Sequence, residues 1–173
     1  YTNSIDKFLI KNNSTFYLSE KVVSIEQVVI TPKKFVTKNW GINTKTKSVQ
    51  FIYNPEKNQQ DISKELALPF DTKKRAKLEK INLNISYFEA DRPVFVRYNV
   101  YDENWNSILG EDLSILMNPK DIKNSEFSFD VSDKNIWVKN KFYVSFQVLN
   151  SFKGSIALSG TVFKPAFYRK NLG

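Results

Sequence analysis

Lys80-Ile81-Asn82-Leu83-Asn84-Ile85-Ser86-Tyr87-Phe88 is the stretch that decides the fold class. Its apolar residues Ile81, Leu83, Ile85 and Tyr87 alternate with Asn82, Asn84 and Ser86. A period of two turns one set toward a core and the other toward water, which is the pattern of a strand with one buried face. The same reading repeats downstream. Pro93 to Asp102 sets Val94, Val96, Tyr98 and Val100 against Phe95, Arg97, Asn99 and Tyr101. Glu126 to Val131 turns Phe127, Phe129 and Val131 inward, and Lys141 to Leu149 does the same with Phe142, Val144, Phe146 and Val148. Gly154 to Phe163 adds a strand through Ile156 and Leu158. Upstream, Ser48 to Tyr53 and Ile62 to Phe70 read as two more strands. The second is expected at a sheet edge, because Pro69 has no N–H for a ladder.

The connectors carry turn chemistry. Asp102-Glu103-Asn104-Trp105-Asn106 is expected to close one hairpin and Asn150 to Gly154 another, with Asn118 to Asp121 forming a turn. Closely spaced strands without helices between them predict an antiparallel sheet protein and exclude βαβ units. The expected fold is all-β: an antiparallel, jelly-roll-like β-sandwich. Near the start, Phe8 to Ile10, Thr15 to Leu18 and Val22 to Ile30 are also strand-like and stop at Thr31-Pro32-Lys33-Lys34; they either join the later sandwich or are the tail of a preceding domain.

The chain has 173 residues and a mass of 20.2 kDa. A chain of that size buries roughly 70% of its extended surface and folds without a covalent staple. It contains neither Cys nor His. Cys/His zinc sites, Ser-His-Asp and Cys-His nucleophiles, and thiol redox chemistry are therefore excluded. No cofactor and no transition metal is expected. No apolar run approaches the ~20 residues of a membrane helix, and the opening Tyr1-Thr2-Asn3-Ser4-Ile5 lacks the apolar core of a signal peptide. Without an initiator Met, it reads as an internal start: that of a processed chain, or of a part of something longer.

Net charge is +8, from 26 Lys+Arg against 18 Asp+Glu. Only Arg75, Arg92, Arg97 and Arg169 are arginine, and the lysines lie scattered as singles and pairs at strand ends. That pattern argues against a nucleic-acid groove, which would cluster Arg and Lys on one face. It fits a solvated surface that discourages edge pairing, with attraction to an anionic glycan or lipid headgroup as the alternative.

Trp40, Trp105, Tyr101 and Tyr143 fall in loops or on outward strand positions and are the candidate binding residues; Trp137 also lies outward and is expected to pack. Exposed Trp and Tyr stack on sugar rings or anchor protein interfaces. Trp105, at a hairpin tip, is the foremost candidate. The acids Glu89, Asp91, Asp102, Glu111 and Asp112 suggest no particular pair for glycoside hydrolysis. Asp102-x-Asn104-x-Asn106 has the opening spacing of a calcium loop. Ser107 and Leu113 occupy the places of its Gly and Glu, so a polar turn is the simpler reading.

Ser24-Ile25-Glu26-Gln27-Val28-Val29-Ile30-Thr31-Pro32-Lys33-Lys34 resembles the closing strand of the carboxypeptidase-like regulatory domain, with Tyr1 and Thr15-Phe16-Tyr17-Leu18 matching positions upstream of it. That domain is a transthyretin/Ig-like sandwich of cell-envelope proteins in Gram-negative, Bacteroidetes-type bacteria. Leu78 to Ile85, Arg97 to Tyr101, Phe129 to Ser132, Ile136 to Val138 and Phe167 to Lys170 resemble the sandwich that follows it. The resemblance implies three parts: residues 1–31 as the last strands of a regulatory domain, 32–47 as a linker, and 48–173 as a β-sandwich domain. It carries over no active-site residue.

The expected function is accordingly a non-catalytic binding or scaffold module of the bacterial envelope. It would be periplasmic or outer-membrane-associated and engage envelope proteins there. The alternatives are a carbohydrate-binding module that uses its exposed aromatics on a glycan and, third, a hydrolase accessory domain.

Overall fold

The computed structural model describes residues 35–162 and 164–170. The strand expectations at residues 1–31 lie outside them. The chain divides into units Tyr1–Thr37 and Lys38–Gly173, and the sandwich belongs to the second.

Among the described residues nine strands form it: β1 (Gln50–Tyr53), β2 (Lys64–Lys77), β3 (Lys80–Ala90), β4 (Val94–Tyr101), β5 (Leu113–Met117), β6 (Glu126–Asp130), β7 (Trp137–Val148), β8 (Gly154–Ser159) and β9 (Phe167–Lys170). They make a four-stranded sheet of order β1-β8-β3-β6 and a five-stranded sheet of order β5-β4-β7-β2-β9. Every pairing is antiparallel. An order of 1-8-3-6 facing 5-4-7-2 is that of a jelly roll, two Greek keys folded together. β9 is an extra strand laid on β2. The expected all-β sandwich is the observed fold.

The alternating residues build the core. Val94, Val96, Tyr98 and Val100 are fully buried, with Phe142, Phe146 and Val148 from β7 beside them. Ile81, Ile85, Phe127, Ile156 and Leu158 come from the opposite sheet, with Val131 just past the end of β6. Tyr98 stacks on Phe129 at 5.6 Å and meets Phe146 at 5.8 Å, so aromatic packing ties the two sheets together.

Three local readings are corrected. In β3 the alternation breaks, because Ile85 pairs with Leu158 while Tyr87 pairs with the adjacent Ala157. This bulge leaves Ser86 as the extra residue, turns Tyr87 out to 48% exposure and packs Phe88 against the core. The Ser86 hydroxyl stabilises the bulge by donating to the Ala157 carbonyl at 3.0 Å. Second, Asn150 to Gly154 does not close a hairpin: β7 and β8 belong to different sheets, so this segment arches over the end of the sandwich. Phe152 plugs that end at 2% exposure. Gly154 is required there: at φ +115 a Cβ would sit 2.2 Å from the Glu89 carbonyl oxygen. Third, β2 is an interior strand over its first residues, since β9 covers Lys64 to Ala67. Beyond Ala67 that side is open, and Pro69 sits where no β9 partner needs its N–H.

From Trp40 onward the segment read as a linker lies on the sandwich. Trp40 meets Phe142 edge-on at 5.9 Å, the Ile42 carbonyl accepts from Asn84, and Thr44 donates to the Gly160 carbonyl at 3.2 Å.

Candidate ligand-binding face

The outer face of the five-stranded sheet is assembled by register. Tyr101 of β4 lies opposite Tyr143 of β7, which lies opposite Pro69 of β2. The next outward row is Asn99, Ser145, Ala67 and Phe167, and the one after it Arg97, Gln147, Glu65 and Arg169. One end of the face is thus aromatic, the adjoining row is mixed and the third row is polar and charged.

The β4–β5 turn adds Trp105. The Asp102 carboxylate accepts the N–H groups of Asn104 and Asn106, both at 2.9 Å, and the Asp102 carbonyl accepts from Trp105 at 3.1 Å. Those bonds hold the Asp102 carboxyl below its ordinary pKa, Asn106 first among the causes. The Asp102 carboxylate that would open a calcium loop is spent closing the turn. Trp105 itself has φ 64, a left-handed conformation that a bulky side chain seldom adopts. Its indole folds back and stacks on Tyr143, with centroids 4.0 Å apart and planes 17° apart. Tyr101 and Phe167 flank it, each at 5.7 Å. Trp105 keeps partial exposure, and Phe167 is 40% exposed.

Beneath this cluster sits a charged network. Glu65 is 3% exposed and accepts from the Tyr101 hydroxyl at 2.7 Å, from the Ser145 hydroxyl and from Arg169 Nε at 2.7 Å. Arg169 also donates to the Tyr101 oxygen at 2.6 Å, with its guanidinium carbon 4.8 Å from the Tyr101 ring centroid. Burial, followed by the bond to Glu65, pushes the Tyr101 hydroxyl up to about 12. The network ties Arg169 of β9 to Glu65 of β2 and bonds the Tyr101 hydroxyl to both.

Three of the four candidate residues therefore meet at one place. Trp105 is partly exposed, whereas Tyr101 and Tyr143, expected to be exposed, are each only 3% exposed. They form the support of the face, and Trp105 and Phe167 form its surface. Trp40 is elsewhere, at the end of the sandwich beside a pocket of about 260 Å3 shared with Phe70 and Lys164. Trp137, expected to pack, is 39% exposed, with Arg75 stacked 4.5 Å from its ring. Reading the sequence missed Glu65, Phe167 and Arg169 as parts of this site. The carboxylates considered for hydrolysis are engaged individually: Asp91 with Arg92, Asp112 with Arg97, Glu111 with Lys134 and Glu89 with the Tyr87 hydroxyl. Among the described residues, no group of acids is arranged to hold a metal ion.

No family model, curated protein or solved structure matches the chain.

Proposed function

We propose that this jelly roll is a non-catalytic binding module of a bacterial cell envelope, and that its ligand meets the outer face of the five-stranded sheet at Trp105. The observation that carries the reading is the left-handed backbone of Trp105. An L-residue there costs roughly 1–2 kcal/mol, which Gly would avoid. Backbone outliers of this kind concentrate at binding sites, where the surroundings hold them in place. Here the left-handed turn carries an indole stacked on Tyr143, with Tyr101 beside it bonded to Glu65 and Arg169.

The non-catalytic part is supported by the engagement of each acid in its own turn or ion pair. Placement in the envelope is supported by the sequence resemblance of Ser24 to Lys34 to the regulatory domain of envelope proteins. That resemblance points to partners in the periplasm or outer membrane.

Binding of the full chain to isolated outer-membrane fragments of a Bacteroidetes-type bacterium tests the reading. Trp105→Ala should lose at least about tenfold in affinity, whereas Trp40→Ala should bind like the unaltered chain, with thermal midpoints recorded for both. Equal binding by the unaltered chain and Trp105→Ala would overturn the assignment of the face.

A further inference from the structure

We infer that the groove opening where β4 and β5 part is a saccharide subsite, and that it selects a neutral sugar through two hydroxyls on adjacent ring carbons. The inference rests on the reading of the adjoining outer face as the binding face.

The groove has a definite origin. Tyr98 pairs with Leu113, but the next bridge toward the turn joins Tyr101 to Ser107. Residues 108–112 are therefore an excursion with few β4 residues opposite them, anchored by the Ile108 N–H on the Val100 carbonyl at 2.9 Å. The space left is about 410 Å3 and is lined by Arg97, Asn99, Ser107, Leu109, Glu111 and Asp112, among others. That volume falls within the roughly 300–1,000 Å3 range of small-ligand sites.

Its chemistry is that of a polyol site. Arg97 and Asp112 stand 3.2 Å apart, with side chains 38% and 56% exposed, so a paired donor and acceptor are both open to a ligand. Two neighbouring hydroxyls, each a donor and an acceptor, match such a pair; a group that only accepts would satisfy Arg97 and repel Asp112. Charge points the same way. Glu111 is paired to Lys134 at 3.1 Å, and Lys134 is shared with Asp133 at 3.3 Å, so Arg97 and Lys134 face the carboxylates of Asp112, Glu111 and Asp133. In a chain of net charge +8 this groove has no excess of positive charge, which suits an uncharged ligand better than a phosphate or a polyanion. Leu109 gives the ring's C–H face an apolar wall.

Asn99 joins the groove to the aromatic face. Its Nδ2 donates to the Tyr101 hydroxyl at 2.8 Å and its Oδ1 accepts from Ser107 at 2.9 Å. A saccharide of several rings can thus rest one residue on Trp105 and place another in the groove.

The test is a titration of the 15N-labelled full chain with neutral gluco-, manno- and galacto-configured tetrasaccharides. The amides of Ser107 and Gly110 report the groove, and the Trp105 indole N–H reports the face. Both sets should shift with at least one sugar, and Asp112→Asn should weaken that binding about tenfold, the loss expected for hydrogen bonds to a charged group. A deoxy analogue lacking one of the two hydroxyls should lose a similar factor. If Trp105 shifts without Ser107 and Gly110, or if Asp112→Asn binds unchanged, the groove is refuted while the face stands. If the groove amides shift without Trp105, the subsite stands and the face reading fails. If no sugar moves either set, the subsite is overturned, and the face is then judged by outer-membrane binding alone. Trp105-dependent membrane binding that protease treatment of the membranes abolishes would identify a protein occupant and likewise overturn the subsite.

Discussion

Removing the Arg169 guanidinium from the carboxylate of Glu65 perturbs the best-defined polar unit of the sheet. The Glu65 side chain is 4% exposed and the Arg169 side chain 44%. Orphaning one member of a fully buried ion pair costs about 3–5 kcal/mol. Here the cation is nearly half exposed, so water can replace part of its contact, and the Tyr101 and Ser145 hydroxyls still donate to the carboxylate. The expected cost of Arg169→Met is therefore about 2 kcal/mol, below the buried limit and above the 0–1 kcal/mol of a surface pair. Glu65→Gln keeps shape and acceptor oxygen and should cost about 1–2 kcal/mol. The double variant should lose less than the sum by about 1 kcal/mol, because each change removes the same interaction. Urea denaturation of the full chain, followed by far-UV circular dichroism, measures all three. Additivity within about 0.4 kcal/mol would refute the coupling. So would a cost below about 0.5 kcal/mol for Arg169→Met.

Other consequences follow from single residues. Gly154→Ala should destabilise by about 3 kcal/mol, since its Cβ would overlap the Glu89 carbonyl at a left-handed φ; thermal melts read the loss directly. Tyr98→Phe should be neutral or stabilise by about 1 kcal/mol, because the Tyr98 hydroxyl is buried without a partner among the described residues. A clear loss in urea would mean that the hydroxyl is satisfied. In alkali, the raised Tyr101 pKa means that the fold favours the protonated phenol. Its contribution is complete below about pH 10, the unfolded value, and is lost as pH rises through about 12. Stability measured across that window should fall less steeply in Tyr101→Phe, and an unchanged slope would contradict the assignment.

The parts legible in sequence were those where one residue type decides one face. Val94, Val96, Tyr98 and Val100 announce β4 because no other packing hides all four. Trp105 could be singled out because a large aromatic in an Asp/Asn-rich turn has no local reason to be there. What escaped depends on distant parts of the chain. Nothing in Ile85-Ser86-Tyr87 marks the bulge; it arises from pairing with Leu158 and Ala157. A five-residue link such as Asn150 to Gly154 reads alike whether it joins neighbours in a sheet or arches between sheets. β5 and β9 are short, and β9 takes its place through Arg169 reaching Glu65, 104 positions earlier. The burial of Tyr101 and Tyr143 has the same source. Their alternation correctly turns them away from the core, but Trp105 and Phe167 then cover them. Outward therefore did not mean exposed.

The three tryptophans mark three separate regions: Trp105 the outer face, Trp40 the pocket at the end of the sandwich, and Trp137 the first residue of β7. Each has one indole N–H, and substitution of each in turn assigns its signal. Following those signals while detergent-solubilised outer membrane is added to the 15N-labelled chain tests the central claim most directly. The Trp105 signal should shift or broaden while Trp40 and Trp137 stay in place. Perturbation of Trp40 or Trp137 with Trp105 unchanged would contradict it.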